Sequence, residues 1–142
     1  MGEIVLKGHK VVGGVAEGEA LVCHEPITFV GGIDPYSGIL MEKRHELEGQ
    51  CIAGKVLVYP TGKGSTGGSY RIYDMAKRGT GPAAIINQYA EPITAIGAII
   101  GEIPMVDKLS QDPTQVIETG DWVRVDATEG RVSIQKKKEN EE

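Results

Sequence analysis

The chain has 142 residues, with 20 acidic and 15 basic side chains and a formal net charge of −5. That length permits one domain with a real core, and the charge, with no basic face outside the C-terminal tail, excludes broad nucleic-acid binding. No apolar run is long enough to span a membrane and Met1-Gly2-Glu3-Ile4 has no signal-peptide pattern, so the expected location is the cytoplasm.

In residues 3–29 the short runs Ile4-Val5-Leu6, Val11-Val12 and Ala20-Leu21-Val22 are separated by Gly13-Gly14 and Gly18. This spacing predicts strands joined by tight turns. Residues 30–38, Val30-Gly31-Gly32-Ile33-Asp34-Pro35-Tyr36-Ser37-Gly38, are too rich in glycine and proline for regular structure. They form a loop that brings Asp34 and backbone N–H groups to a ligand, or else a plain Asp-Pro turn. His45 lies in a charged segment, and a lone histidine there reads as structural or exposed. Cys23 and Cys51 stand far apart with no CxxC spacing, so they hold no zinc or iron–sulfur cluster by themselves and read as buried free thiols.

The chain is most informative at its centre. Lys55-Val56-Leu57-Val58-Tyr59 is an apolar, β-branched run of the kind covered on both faces. Ile72, Tyr73 and Ala76 then fall at helical spacing with Gly79 as a stop, and Pro82-Ala83-Ala84-Ile85-Ile86 returns to a short apolar run. Strand, glycine-rich loop, helix and strand make a βαβ unit with a parallel pair. In such sheets ligands bind at the carboxyl ends of strands, where this loop lies. Asn87 and Glu91 follow the second strand and face the same crevice or serve a polar connection. Residues 93–100 predict a short buried helix, and Ile103-Pro104-Met105-Val106 another strand. Residues 121–126 and 131–134 alternate as a hairpin around Glu129-Gly130, with Trp122 in the core or an interface. Residues 136–142 have nothing apolar to bury, which bounds the domain at residues 1–135 and makes the rest a disordered tail.

The loop itself, Pro60-Thr61-Gly62-Lys63-Gly64-Ser65-Thr66-Gly67-Gly68-Ser69, carries four glycines in ten residues. Its backbone can approach a ligand closely, and the helix after it points free N–H groups back toward it, an arrangement that suits a carboxylate or phosphate. Lys63, Ser65, Thr66 and Ser69 add to that attraction. Gly68 stands where a nucleotide-binding P-loop needs its lysine, so ATP or GTP hydrolysis is rejected. A Gly/Ser turn that merely connects strand to helix remains the alternative.

At these residues the chain resembles the small subunit of the aconitase X family, a free-standing counterpart of the swivelling domain of aconitase. The resemblance is carried by Gly31-Gly32-Ile33-Asp34-Pro35, Gly38-Ile39, His45, Ile52-Ala53-Gly54-Lys55-Val56-Leu57-Val58 and residues 62–69. Ala95-Ile96-Gly97-Ala98-Ile99-Ile100, Ile103-Pro104 and Thr119-Gly120-Asp121-Trp122-Val123-Arg124-Val125-Asp126-Ala127 continue it, so that it covers residues 11–134. It implies an α/β fold, a swivelling β/β/α domain with mixed sheets. It also implies a large partner subunit that holds an iron–sulfur cluster, this chain binding none alone, and a heterodimer that dehydrates a hydroxy acid. The substrate so implied is (R)-5-phosphomevalonate, converted to trans-anhydromevalonate 5-phosphate on the way to isoprenoids, with cis-3-hydroxy-L-proline the alternative. Ser65 takes the family's position of proton acceptor. Lys63, Gly64, Thr66, Gly67, Gly68, Ser69, Gly32 and Asp34 are the substrate-binding candidates. Gly67 departs from the family's usual run, which has a third polar residue there.

Two readings of other classes stay open beside the enzyme: a module that holds a phosphorylated metabolite without chemistry, and a loop with a purely structural role. Phosphohistidine domains share the swivelling architecture but need a histidine in the active loop, and His9, His24 and His45 all lie outside it.

Overall fold

The computed structural model describes residues 3–137. Within them the chain runs through β1 (Glu3–Lys7), β2 (His9–Val12), β3 (Val15–Val22), β4 (Val56–Tyr59), α1 (Gly68–Arg78), β5 (Ala84–Asn87), α2 (Pro92–Gly101), β6 (Met105–Asp107), α3 (Pro113–Val116), β7 (Trp122–Asp126) and β8 (Arg131–Gln135). The strands bond in one order, β1-β8-β7-β3-β4-β5-β6-β2.

β3 divides this order. Residues 15–19 pair antiparallel with β7, while residues 20–22 pair parallel with β4. Only Gly8 separates β1 from β2, which lie at opposite ends of the order, so the sheet folds back over itself into two layers. The early strands are therefore not hairpin partners of one another: β1 pairs with β8 and β2 with β6. Gly18, expected as a separator, sits inside β3, where a Cβ would meet the carbonyl of Gly54 at 3.0 Å.

Alternation along β4 explains its unbroken apolar run. Val56 and Val58 enter the core between the two layers, with Leu6, Val123, Val125 and Ile134, whereas Leu57 and Tyr59 enter a second core beneath the helices, with Ile72, Met75 and Ala98. Each such side chain contributes roughly 1.5–3 kcal/mol by leaving water. The result is the mixed β/β/α layering expected of a swivelling domain. The central βαβ unit has the predicted form, with β4 and β5 parallel and in register from Val56↔Ala84 to Tyr59↔Asn87.

Several expectations need correction. The segment read as a buried helix forms α2 but buries only its small side, Thr94, Gly97 and Ala98. Gly97 lets α1 come close, since a Cβ there would lie 2.8 Å from that of Ile72. Ile96, Ile99 and Ile100 are about half exposed, at 51, 54 and 47%. Trp122 is not in the core either, because its position in β7 faces outward, and its indole N–H donates to Glu17 Oε1 at 2.8 Å. Cys51 is exposed. Lys136 and Lys137, assigned to the tail, are held by Asp121, which accepts from Lys136 Nζ at 2.6 Å and Lys137 N at 2.9 Å; residues 138–142 lie outside the described residues.

Candidate active site

The carboxyl ends of β4 and β5 gather the buried polar side-chain atoms that lack a partner. Buried side-chain atoms without a hydrogen-bond partner, among the described residues, are Tyr59 OH, Thr61 Oγ1, Asn87 Oδ1 and Ser65 Oγ. All four belong to the ends of these strands or to the loop after β4. Buried polar groups are normally satisfied; Tyr59 and Asn87 are fully enclosed beside one another, which leaves Thr61 and Ser65, on the loop, as the pair placed to meet something else.

Ser65 sits just before α1. Its carbonyl accepts from Gly68 N–H at 3.0 Å, and the first helical bond runs from Arg71 N–H to Gly67 O at 3.0 Å. No side chain caps this helix and no acid lies in its first turn, so the N–H groups of Ser69 and Tyr70 face the loop with the positive end of the helix dipole. Gly67 is the N-cap at φ +87°, a left-handed conformation that glycine adopts without penalty. A side chain at this position would be strained, so the loop as folded here calls for glycine.

The other loop candidates divide by what they touch. Thr66 is exposed, whereas Ser69 Oγ donates to the carbonyl of Ile93 at 2.6 Å. Lys63 turns outward to Glu42, 3.7 Å away, and its N–H holds Ile27 O at 2.9 Å. Gly64 and Gly68 are packed against the first turn of α2, where a Cβ on Gly68 would lie 2.9 Å from Ile93 Cγ2. Gly32 is buried, its α-carbon against the carbonyl of Thr28. Asp34 folds onto its own turn, accepting from Ser37 Oγ at 2.7 Å and Tyr36 N–H at 3.4 Å, and the Ser37 hydroxyl holds its carboxyl below the usual range. Both residues shape the loop rather than present a free group.

Sequence reasoning passed over Arg71. Its guanidinium donates to Phe29 O at 3.3 Å and Ile33 O at 3.1 Å, fastening the 29–34 loop to the first turn of α1. The only sequence signal was a polar position on that helix. His45, left as structural or exposed, is structural: buried, it bridges Pro26 O and the N–H of Leu47 through its two ring nitrogens, each at 3.0 Å. Asn87 points inward, donating to Tyr59 O at 3.0 Å. Glu91 caps α2, accepting from Ile93 N–H at 2.7 Å and from the N–H and hydroxyl of Thr94 at 3.1 and 2.8 Å. An open cavity of about 340 Å³ lies elsewhere, lined by His24, Glu46 and Glu118 among others, and contains none of the loop's residues.

A family profile for the aconitase X swivel domain matches residues 5–134. The chain belongs to this family. Among its relatives, the phosphomevalonate dehydratase small subunit of Methanocella arvoryzae is 53% identical over 129 residues, covering 91% of this chain and 98% of the relative. The protein of the same description from Thermococcus kodakarensis is 52% identical, covering 91% and 95%. A crystal structure of Thermococcus kodakaraensis aconitase X in its holo-form superposes with a TM-score of 0.88 at 50% identity, over 94% of this chain and 99% of that one.

The described residues of this member do not fit an iron–sulfur cluster. Cluster ligands are thiolates, but burial pushes the Cys23 thiol up to about 11 and it donates to Glu25 O at 3.3 Å. Cys51 is exposed and donates to Ser37 O at 3.4 Å. No group of three or more His, Cys, Asp or Glu residues is arranged for a metal among the described residues. Nor is any described helix long and apolar enough to cross a membrane.

Proposed function

We propose that this chain is the small subunit of a cytoplasmic two-chain dehydratase acting on (R)-5-phosphomevalonate, with Ser65 as proton acceptor. The family and the description shared by its relatives support the reaction class and substrate. The observation that carries the site is the Ser65 hydroxyl, buried and unpartnered beside an uncapped helix.

Dehydration removes a proton from the carbon beside the substrate carboxylate; the electrons of that C–H bond form the double bond, and hydroxide leaves the neighbouring carbon. This chain supplies the acceptor for the proton. A serine hydroxyl is too weak an acid to ionise in water, so its anion needs a stabilising field. The positive end of α1, with the N–H groups of Ser69 and Tyr70, supplies one at no cost in reorganisation. Gly64, Thr66 and Gly67 leave backbone N–H groups for an anionic substrate, Lys63 lies at the rim paired with Glu42, and Gly68, Gly32, Asp34 and Ser69 set the shape around it.

The iron–sulfur cluster belongs, in this reading, to the large subunit. α2 supports a partner: a helix apolar all round is normally covered, and Ile96, Ile99 and Ile100 leave one face of it bare. We assign that face to the large subunit.

Anaerobic affinity purification of the chain from its host, with iron analysis and turnover assays, tests the proposal. A stoichiometric iron-containing partner that dehydrates 5-phosphomevalonate is expected. Turnover of cis-3-hydroxy-L-proline instead would change the substrate, and an iron-free monomer that binds a phosphorylated metabolite alone would replace the enzyme with a binding module.

A further inference from the structure

We infer that Glu91 is the positioning residue that sets where Ser65 stands, an inference that rests on Ser65 being the proton acceptor. Ser65 Oγ makes no hydrogen bond within the chain, so nothing but the backbone fixes it. That backbone lies directly on Glu91. A Cβ on Gly64, the residue before Ser65, would fall 2.5 Å from Glu91 Oε2 and 3.0 Å from its Cδ, and one on Gly62 would fall 3.1 Å from Oε1 and run into the Thr94 hydroxyl.

Glu91 is itself immobilised, with both carboxylate oxygens taken up by Ile93 N–H and by Thr94 N–H and Oγ1. The far end of the loop rests on the same turn, through Gly68 against Ile93 and Ser69 Oγ on Ile93 O. The start of the loop is bonded to the Ile27 backbone at Thr61 and Lys63, the rest lies on one turn of α2, and Glu91 is the part of that turn packed on the residue before Ser65. Glycine is needed at 64 because the carboxylate fills the space a side chain would occupy, and at 62 because the Thr94 hydroxyl that the carboxylate holds does so.

Glu91→Asp separates positioning from simple capping. Aspartate is a good N-cap, so it keeps α2 closed, but its shorter side chain withdraws support from Gly64. In the complex with the large subunit, kcat should fall about 100-fold, as displacements near 1 Å do, with KM, thermal stability and iron content close to wild type. If Glu91→Asp restores both stability and kcat while Glu91→Ala loses both, the residue only caps a helix and the inference is overturned.

Gly64→Ala gives an independent check. Its loss of kcat should be smaller in the Glu91→Asp background, where the added methyl has room, and strictly additive losses would overturn the coupling. Ser65→Ala is run alongside. Near-normal turnover in that variant removes the proton-acceptor reading itself, whereas a dead Ser65→Ala beside a fully active Glu91→Asp removes only the role of Glu91.

Discussion

The two long helices begin at the same edge of the sheet, after adjacent parallel strands, yet their N-termini are finished in opposite ways. α2 is sealed, with Pro92 at its first position and the Glu91 carboxylate on its free N–H groups. α1 is left open, with a glycine cap, no side-chain acceptor and no acid in its first turn. A glycine in place of a side-chain cap costs a helix about a few tenths of a kcal/mol. Among the described α-helices only the one after Ser65 lacks a side-chain cap, and in the proposed reading the open terminus is the functional ground and the sealed one its support.

The strongest way to break this contrast is to remove the hydroxyl. Ser65→Ala should lower turnover by about 10²–10⁴-fold, the usual contribution of a positioned base, while leaving assembly and melting temperature unchanged, because that oxygen bonds nothing within the chain. Steady-state assays beside calorimetry read both quantities, and near-normal turnover would sink the assignment. A smaller effect is expected on the outer faces of the helices. Ile99→Asp places a charge on the bare face of α2 and should weaken association with the large subunit by about tenfold or more, measured by titration of one subunit against the other, with no loss of folded small subunit. Unchanged affinity would move the interface elsewhere.

The sequence made the scaffold legible where pattern is local. The β4 run, the glycine-rich loop, the helix stop at Gly79 and the C-terminal hairpin could be read because period, turn residues and caps lie within a few positions of one another. What escaped was decided at long range. That β1 and β2 part to opposite ends of the strand order depends on partners more than 90 residues away. The outward isoleucines of α2 could not be foreseen from a segment apolar on every side, since periodicity is silent when there is no polar face. The candidate site was half legible: Ser65 lay in a motif and Glu91 was placed at the crevice, but the hold of Arg71 on Phe29 and Ile33 and the packing of Glu91 on Gly64 are contacts with backbone distant in sequence, and no spacing rule reports those.

The open terminus can also be tested by partly closing it. Tyr70 is exposed in the first turn of α1, so Tyr70→Glu adds the acid that this helix lacks without disturbing a core. A carboxylate there should stabilise the helix by about 0.3–1 kcal/mol. The same charge opposes an anionic substrate, raising KM by about two- to fivefold, which is that energy converted to a binding ratio. Stability and affinity should therefore move in opposite directions. If both improve, the N-terminus of α1 does not face the substrate's charge.

The smallest effect belongs to a region outside the site, and it sharpens the contrast by leaving catalysis alone. His24 faces two acceptors, Glu46 Oε2 at 3.0 Å from Nδ1 and Thr114 O at 3.1 Å from Nε2, so both ring nitrogens donate only when the imidazole is protonated. The bond to Glu46 is the main reason its pKa is raised above the ordinary 6.5. Burial works to raise the Glu46 carboxyl, but hydrogen bonds from the His24 N–H and ring outweigh it and leave the value below the ordinary 4.5. A raised histidine gives stability that is full below 6.5 and lost as pH rises through its folded value; a depressed carboxyl gives stability that is full above 4.5 and lost as pH falls through its own. The clamp is therefore tightest between those two pH values. Hydrogen exchange at the His24 and Glu46 amides, corrected for the intrinsic pH dependence of exchange, should show protection fading above that window, and His24→Gln should flatten the profile. Because both residues are largely open to solvent, the change should stay local and leave kcat untouched. An unchanged profile in His24→Gln would show that another group holds these segments together.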